Sequence, residues 1–254
     1  MKLHAQSFGE RSTQPTLVIA HGLFGSSRNW RAIARQLSRD RQVLAVDMRN
    51  HGASPFADSH TYEDMADDLG DMISSIDGPV DLLGHSMGGK AAMVLALRGM
   101  ARLNRLVIVD IAPVAYGHSH LDHIHALLAL DLNAIGSRKE ADAILAADIP
   151  DEMTRSFLLQ SLNIDPEGHN WSLNLEILAK HMSDIVGFPA ADGQFDGATL
   201  FLSGGQSDYV TDAHRPLIQS HFPNAAFQTI EGAGHWVQAD APREFIKRVQ
   251  DYVA

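Results

Sequence analysis

Cysteine is missing altogether from the 254 residues, which excludes disulfides, thiolate metal ligands and a cysteine nucleophile. Cations are scarce as well, with 20 Lys and Arg against 31 Asp and Glu and a formal net charge of −11. That balance disfavours a nucleic-acid groove or attraction to anionic lipid, while a local cluster of opposite sign leaves an anionic substrate open. No stretch approaches the ~18 apolar residues of a membrane span, and Met1-Lys2-Leu3-His4-Ala5-Gln6 lacks the apolar centre of a signal peptide. A cytoplasmic protein is the expectation, and oligomeric state leaves no mark. Aromatics are only 7%, yet apolar residues reach 45% and charged residues 20%, enough for one sizeable globular core.

Short β-rich runs alternate with helical patterns: Thr16 to Ala20, Val43 to Asp47, Val80 to His85, Leu106 to Asp110, Thr199 to Ser203 and Phe227 to Glu231. Alternation of this kind predicts an α/β fold on a mainly parallel sheet flanked by helices, and Leu3 to Phe8 adds an antiparallel edge. Tyr62, Met65, Leu69, Met72, Ile73 and Ile76 form one apolar stripe, with Glu63, Asp64, Asp67, Asp68 and Asp71 read as a solvated face. The alternation stops between Asp110 and Thr199. Leu121 to Leu130, Lys139 to Ala147, Asp151 to Leu162 and Trp171 to Met182 read as helices rather than a second sheet. The expected organisation is a core of residues 1–112 and 193–254 with a helical cap, residues 113–192, folded over the strand ends.

Ser86 lies in Gly84-His85-Ser86-Met87-Gly88, after the apolar run from Val80 and before the helical stretch Lys90 to Leu97. A serine hydroxyl is a weak nucleophile unless it is exposed, paired with a base and placed beside oxyanion donors. A tight strand-to-helix turn supplies exposure and donors together, because glycines let the backbone cross closely and a helix start frees N–H groups. The spacing alone arises by chance in roughly one chain in ten of this size; its placement between strand and helix is what makes it informative. Backbone N–H groups of Met87 and Leu23 are the expected oxyanion donors, with Phe24 as the alternative to Leu23 if the loop shifts by one residue. His235, in Gly232-Ala233-Gly234-His235-Trp236, is the expected base, since neutral imidazole accepts a hydroxyl proton near neutral pH. Two aspartates at strand ends compete for the role of acid. Asp110 ends the strand after the nucleophile helix, and Asp208 sits in Gly204-Gly205-Gln206-Ser207-Asp208-Tyr209-Val210, where Ser207 is a possible helper and a turn-capping role is the plain alternative.

Read together, His21-Gly22-Leu23-Phe24-Gly25-Ser26, Asp47-Met48-Arg49-Asn50-His51-Gly52-Ala53-Ser54, Gly84 to Lys90, Val109-Asp110-Ile111-Ala112-Pro113 and Gly232 to Trp236 resemble the alpha/beta-hydrolase superfamily. The narrower similarity is to the ybfF-type esterase and thioesterase branch and its abhydrolase domain-containing relatives. It implies the alpha/beta-hydrolase fold, with a cap inserted after the strand ending near Asp110 and no cofactor. It also implies the order nucleophile, acid, base, and it favours Asp110 over Asp208, because the narrower family often has a non-acidic residue at the latter place. In the same family a string like Asn170-Trp171-Ser172-Leu173-Asn174 carries arginine where this chain has Ser172.

The expected function is hydrolysis of a small-molecule carboxylic ester or acyl thioester of short to medium acyl length. Phe24 and Trp236 would line the pocket, with Leu127, Leu128, Phe157, Leu158 and Met182 contributed by the cap. Carbon-carbon hydrolases, lactonases and cofactor-free haloperoxidases also keep a serine, and a ligand-binding receptor of the same fold is a rival of a different class. His21 and His85 read as structural, as do Arg49, Asn50 and His51, which brace the Gly52 turn. His118, His120, His123 and His125 are the one cluster suggestive of metal, but no helical i, i+4 pair with an acidic third ligand accompanies them, and no metal site is expected.

Overall fold

The computed structural model describes all residues from Met1 to Ala254. Seven strands form one sheet in the order β1-β3-β2-β4-β5-β8-β9. They are β1 (Ala5–Phe8), β2 (Thr16–Ala20), β3 (Val43–Val46), β4 (Val80–His85), β5 (Leu103–Val109), β8 (Ala198–Gly204) and β9 (Ala225–Ile230). All neighbours pair in parallel except β1, which is antiparallel to β3. The central strands are apolar at nearly every position because helices cover both faces, and alternate residues enter opposite cores. Val18, Ala20, Leu82 and Ile108 pack with α2 (Tyr62–Ser74), α3 (Met87–Leu97) and α9 (Arg215–His221). Leu17, Ile19, Leu83 and Val107 pack with α1 (Arg31–Leu37) and the late helices α10 (Val237–Asp240) and α11 (Pro242–Val253).

Between β5 and β8 the chain builds a separate apolar cluster from α4 (Leu121–Ala129), α5 (Arg138–Leu145), α6 (Glu152–Leu158), α7 (Leu175–Lys180) and α8 (Met182–Val186). Ser137 and Asp151 cap α5 and α6 by accepting the amides of Glu140 and Thr154. The expectation of helices alone needs correcting here, as does that of helices over Asp151 to Leu162 and Trp171 to Met182. Leu162–Asn163 and Asn170–Trp171 pair as a small antiparallel ladder, β6 and β7. Two residues per strand are too few for any two-residue periodicity to register.

The insertion is tied down by the segment after β3. Gly52 donates to the Ser172 carbonyl at 2.7 Å and Asn174 to the Asn50 carbonyl at 3.0 Å, with a bridge between His51 and Leu173. Ser172 donates through both its amide and its hydroxyl to the Ser161 carbonyl, at 2.8 and 3.0 Å. Asp68 departs from its expected solvated position: it is buried because it takes Arg49 at 2.6 Å and the N-terminal amine. No helix is long and apolar enough to cross a membrane.

Lys90 secures the other end of the insertion. Its ammonium, buried on α3, donates to the carbonyls of Val186 and Gly187 and lies 4.7 Å from the Tyr116 ring centre. Burial pushes the amine down from its usual 10.5 to about 7. Below about pH 7 the amine is charged in the folded and the unfolded chain alike, and the desolvation penalty applies in full. Between about 7 and 10.5 the folded chain binds fewer protons, so stability rises with pH across that window. Lys90→Met is expected to flatten this rise, as read by urea unfolding over about pH 7 to 10.

Candidate active site

The strand-to-helix junction at Ser86 depends on two glycines. Gly84 and Gly88 approach so closely that a Cβ on Gly84 would overlap the Gly88 carbonyl, and one on Gly88 would overlap the Ala20 and His21 carbonyls. Ser86 itself takes φ 50° and ψ −119°, a strained conformation for a residue with a side chain. The turn brings its hydroxyl to 3.1 Å from Nε2 of His235, which reaches back from the loop after β9.

Nδ1 of the same imidazole lies 2.8 Å from Oδ2 of Asp110. Asp110 is fully buried and also takes positive φ, 50°. Its carboxylate accepts the Ser207 hydroxyl at 2.5 Å and the Gly204 amide at 3.0 Å. An acceptor-only carboxylate on one side leaves Nδ1 as the donor, so Nε2 faces Ser86 with a free lone pair. Asp208 stands apart: it is exposed and forms neither a side-chain hydrogen bond nor an ion pair. The structure therefore brings together Ser86, His235, Asp110 and Ser207, and leaves out the competing aspartate.

The His21-Gly22-Leu23 loop packs against Ser86, since a Cβ on Gly22 would meet the Ser86 Cβ at 3.1 Å. Neither the Leu23 nor the Met87 amide donates to another backbone or side-chain group. The Phe24 amide, by contrast, donates to Nε2 of His51 at 3.3 Å. Phe24 adopts φ 63° and lines the pocket.

Neighbouring histidines hold the backbone. His21 bonds the Gly22 carbonyl at 2.8 Å and accepts the Met48 amide at 3.0 Å. His85 donates from Nε2 to the His235 carbonyl at 2.9 Å. Burial lowers both rings, His85 to about 3, with the neighbouring His235 pushing it the same way, so each stays neutral near physiological pH. Arg49, Asn50 and His51 bond Asp68, Ser59 and the Arg49 carbonyl respectively and do not line the pocket.

A cavity of about 210 Å³ opens over Ser86, lined by Phe24, Phe157, Leu158, Trp236 and His235 among others. Leu127, Leu128 and Met182 are not among its walls. Leu127 and Met182 pack inside the insertion, and Leu128 is exposed on its surface, because helix periodicity identifies an apolar face without saying what covers it. Unforeseen walls are Asn29, Thr154 and Gln238, polar residues with no motif to reveal them. His120 and His123 also face the cavity, and burial lowers the His120 ring to about 4. Tyr209, next to the excluded Asp208, stacks on the His235 ring at 4.0 Å between centres.

The family model for the alpha/beta hydrolase fold matches residues 15–242. The chain belongs to the alpha/beta hydrolase family. Within it, this alpha/beta hydrolase is of the ybfF-type branch. It is 36% identical to "Esterase YbfF" of Escherichia coli (strain K12), across 100% of this chain and 98% of that protein. It is 40% identical to "sn-1-specific diacylglycerol lipase ABHD11" of Mus musculus, across 96% of this chain and 82% of that one. A solved structure described as "Marine microorganism esterase" superposes with a TM-score of 0.93 at 37% identity, covering 99% of both chains. These likenesses make the chain an enzyme of the hydrolase class.

The crowding at the Ser86 turn has a measurable consequence. Gly88→Ala is expected to lower unfolding stability by about 1–3 kcal/mol, the usual range for overpacking. Gly117→Ala, at an exposed position with nothing within 4 Å of the added carbon, is expected to stay within about 0.5 kcal/mol in the same urea titration.

Proposed function

We propose that this esterase or lipase-type hydrolase cleaves carboxylic esters or acyl thioesters through an acyl-enzyme on Ser86. His235 is the base, Asp110 the orienting acid and Ser207 its helper, with the Leu23 and Met87 amides as the oxyanion donors. The inserted segment caps the pocket. The observation that carries this reading is the continuous line from Ser86 through His235 to the buried Asp110, at 3.1 and 2.8 Å.

In the first half-reaction, Ser86 Oγ bonds to the substrate carbonyl carbon while its proton passes to Nε2 of His235. Negative charge gathers on the carbonyl oxygen, where the Leu23 and Met87 amides receive it; one such donor contributes about 2.7–4 kcal/mol of transition-state stabilisation. The imidazolium is steadied by the Asp110 carboxylate, which is itself held in place by the Ser207 hydroxyl and the Gly204 amide. The bond from carbonyl carbon to leaving oxygen or sulfur then breaks, and Nε2 hands its proton to the departing atom. Water repeats the attack with His235 as base, giving the free acid and restoring Ser86.

The experiment is kinetics on aryl esters and acyl thioesters. Ser86→Ala is expected to abolish turnover and labelling by a fluorophosphonate probe. Asp110→Asn is expected to lower kcat by about 10⁴, through the wrong imidazole tautomer, with Asp208→Asn within about threefold of the parent. Collapse of activity in Asp208→Asn with little change in Asp110→Asn would overturn the assignment.

A further inference from the structure

Two cavities meet at Ser86, and they differ in which catalytic groups they touch. The larger, of about 210 Å³, is lined by His235, Trp236 and Phe157. The smaller, of about 30 Å³, has Ser86 in its wall with Met87, Lys90, Ile111, Tyr116 and Ile185, but not His235.

We propose that the smaller cavity is the acyl subsite and restricts the enzyme to esters of two- and three-carbon acids, while the larger cavity receives the alcohol. This rests on the assignment of His235 as the base. The tetrahedral carbon bears Ser86 Oγ, the oxyanion, the acyl chain and the leaving oxygen. Nε2 must come within hydrogen-bond reach of the leaving oxygen to protonate it, so the alcohol occupies the cavity that His235 lines. The acyl chain then points to the remaining space, away from the imidazole.

Capacity and rigidity set the chain length. The smaller space is about 30 Å³ against about 210 Å³ for the larger, so of the two it is the one suited to the short chain, the α and β carbons of an acyl group. The surrounding wall is fixed by hydrogen bonds. The Tyr62 hydroxyl donates to the Ile185 carbonyl at 2.5 Å, and Lys90 holds the next two carbonyls. The Tyr116 hydroxyl accepts the Ala112 amide at 2.9 Å and donates to the Tyr209 carbonyl at 2.7 Å. A further methylene must displace this bonded wall, whereas the larger cavity tolerates bulk.

The test is a series of p-nitrophenyl esters from acetate to octanoate, together with alkyl acetates from ethyl to hexyl. In the parent enzyme kcat/KM is expected to fall about tenfold or more between propionate and butyrate, as overpacking a fixed site does. Ile185→Ala should raise the butyrate-to-acetate ratio by about tenfold, and Ile185→Val, which removes one methyl and decides the matter if the alanine variant does not fold, by about threefold. Trp236→Ala should reorder the alkyl acetates and leave the acyl ranking unchanged. Octanoate turned over as well as acetate, or an acyl ranking that moves with Trp236→Ala and not with either Ile185 variant, overturns the proposal while leaving serine catalysis intact. Failure of the parent enzyme to hydrolyse any ester overturns both this proposal and the reading beneath it.

Discussion

The tight crossing of backbone at Gly84, Ser86 and Gly88 is the constraint on which the remaining architecture hangs. It places a side chain at positive φ on the central strand of the sheet, where strain persists only because surrounding packing over-determines it. Two parallel strands flank β4 and supply the segments that surround the Ser86 hydroxyl. β2 leads into the Leu23 loop, and β5 ends at the buried Asp110. Both glycines are pressed against main-chain carbonyls, so the geometry of the turn and the packing of α3 onto β2 are one requirement.

Electrostatics around this turn follow from burial. Fourteen histidines occur in the chain, and those packed beneath the site are held neutral by desolvation, leaving them as directed hydrogen-bond partners for backbone groups. His85 fixes the carbonyl of His235, and His51 fixes the amide of Phe24. Asp110 is different in kind, since its buried carboxyl oxygens are met by an amide, a hydroxyl and an imidazole. The insertion joins the same system from two directions, through the Asn50 to Gly52 segment and through Lys90 on α3. A residue one turn beyond Ser86 thus anchors the segment that contributes Thr154, Phe157 and Leu158 to the cavity wall.

Much of this was legible in the residues because short-range rules apply to it. The strands Thr16 to Ala20 and Val80 to His85 announce themselves as apolar runs between turn signals, and the Ser86 turn as glycines at required spacing. Resemblance favoured Asp110, where spacing alone left Asp208 in contention. Other features had no local signature. The two-residue strands β6 and β7 are too short for periodicity, and Asp68 looks like a surface carboxylate until Arg49 and the N-terminus arrive. Leu128 reads like Phe157 along a helix, yet one faces outward and the other the cavity.

The order of the main strands and helices, the strained serine turn and the residue types gathered around it were determined by the sequence itself. These depend on backbone preference and on spacing within a few residues. Tertiary structure alone decided which aspartate meets His235 across 125 positions, which amides near Ser86 remain free, and how the space around Ser86 divides in two. Those outcomes depend on distances between segments remote in the chain, and such distances come into being only when the sheet and the insertion close on one another.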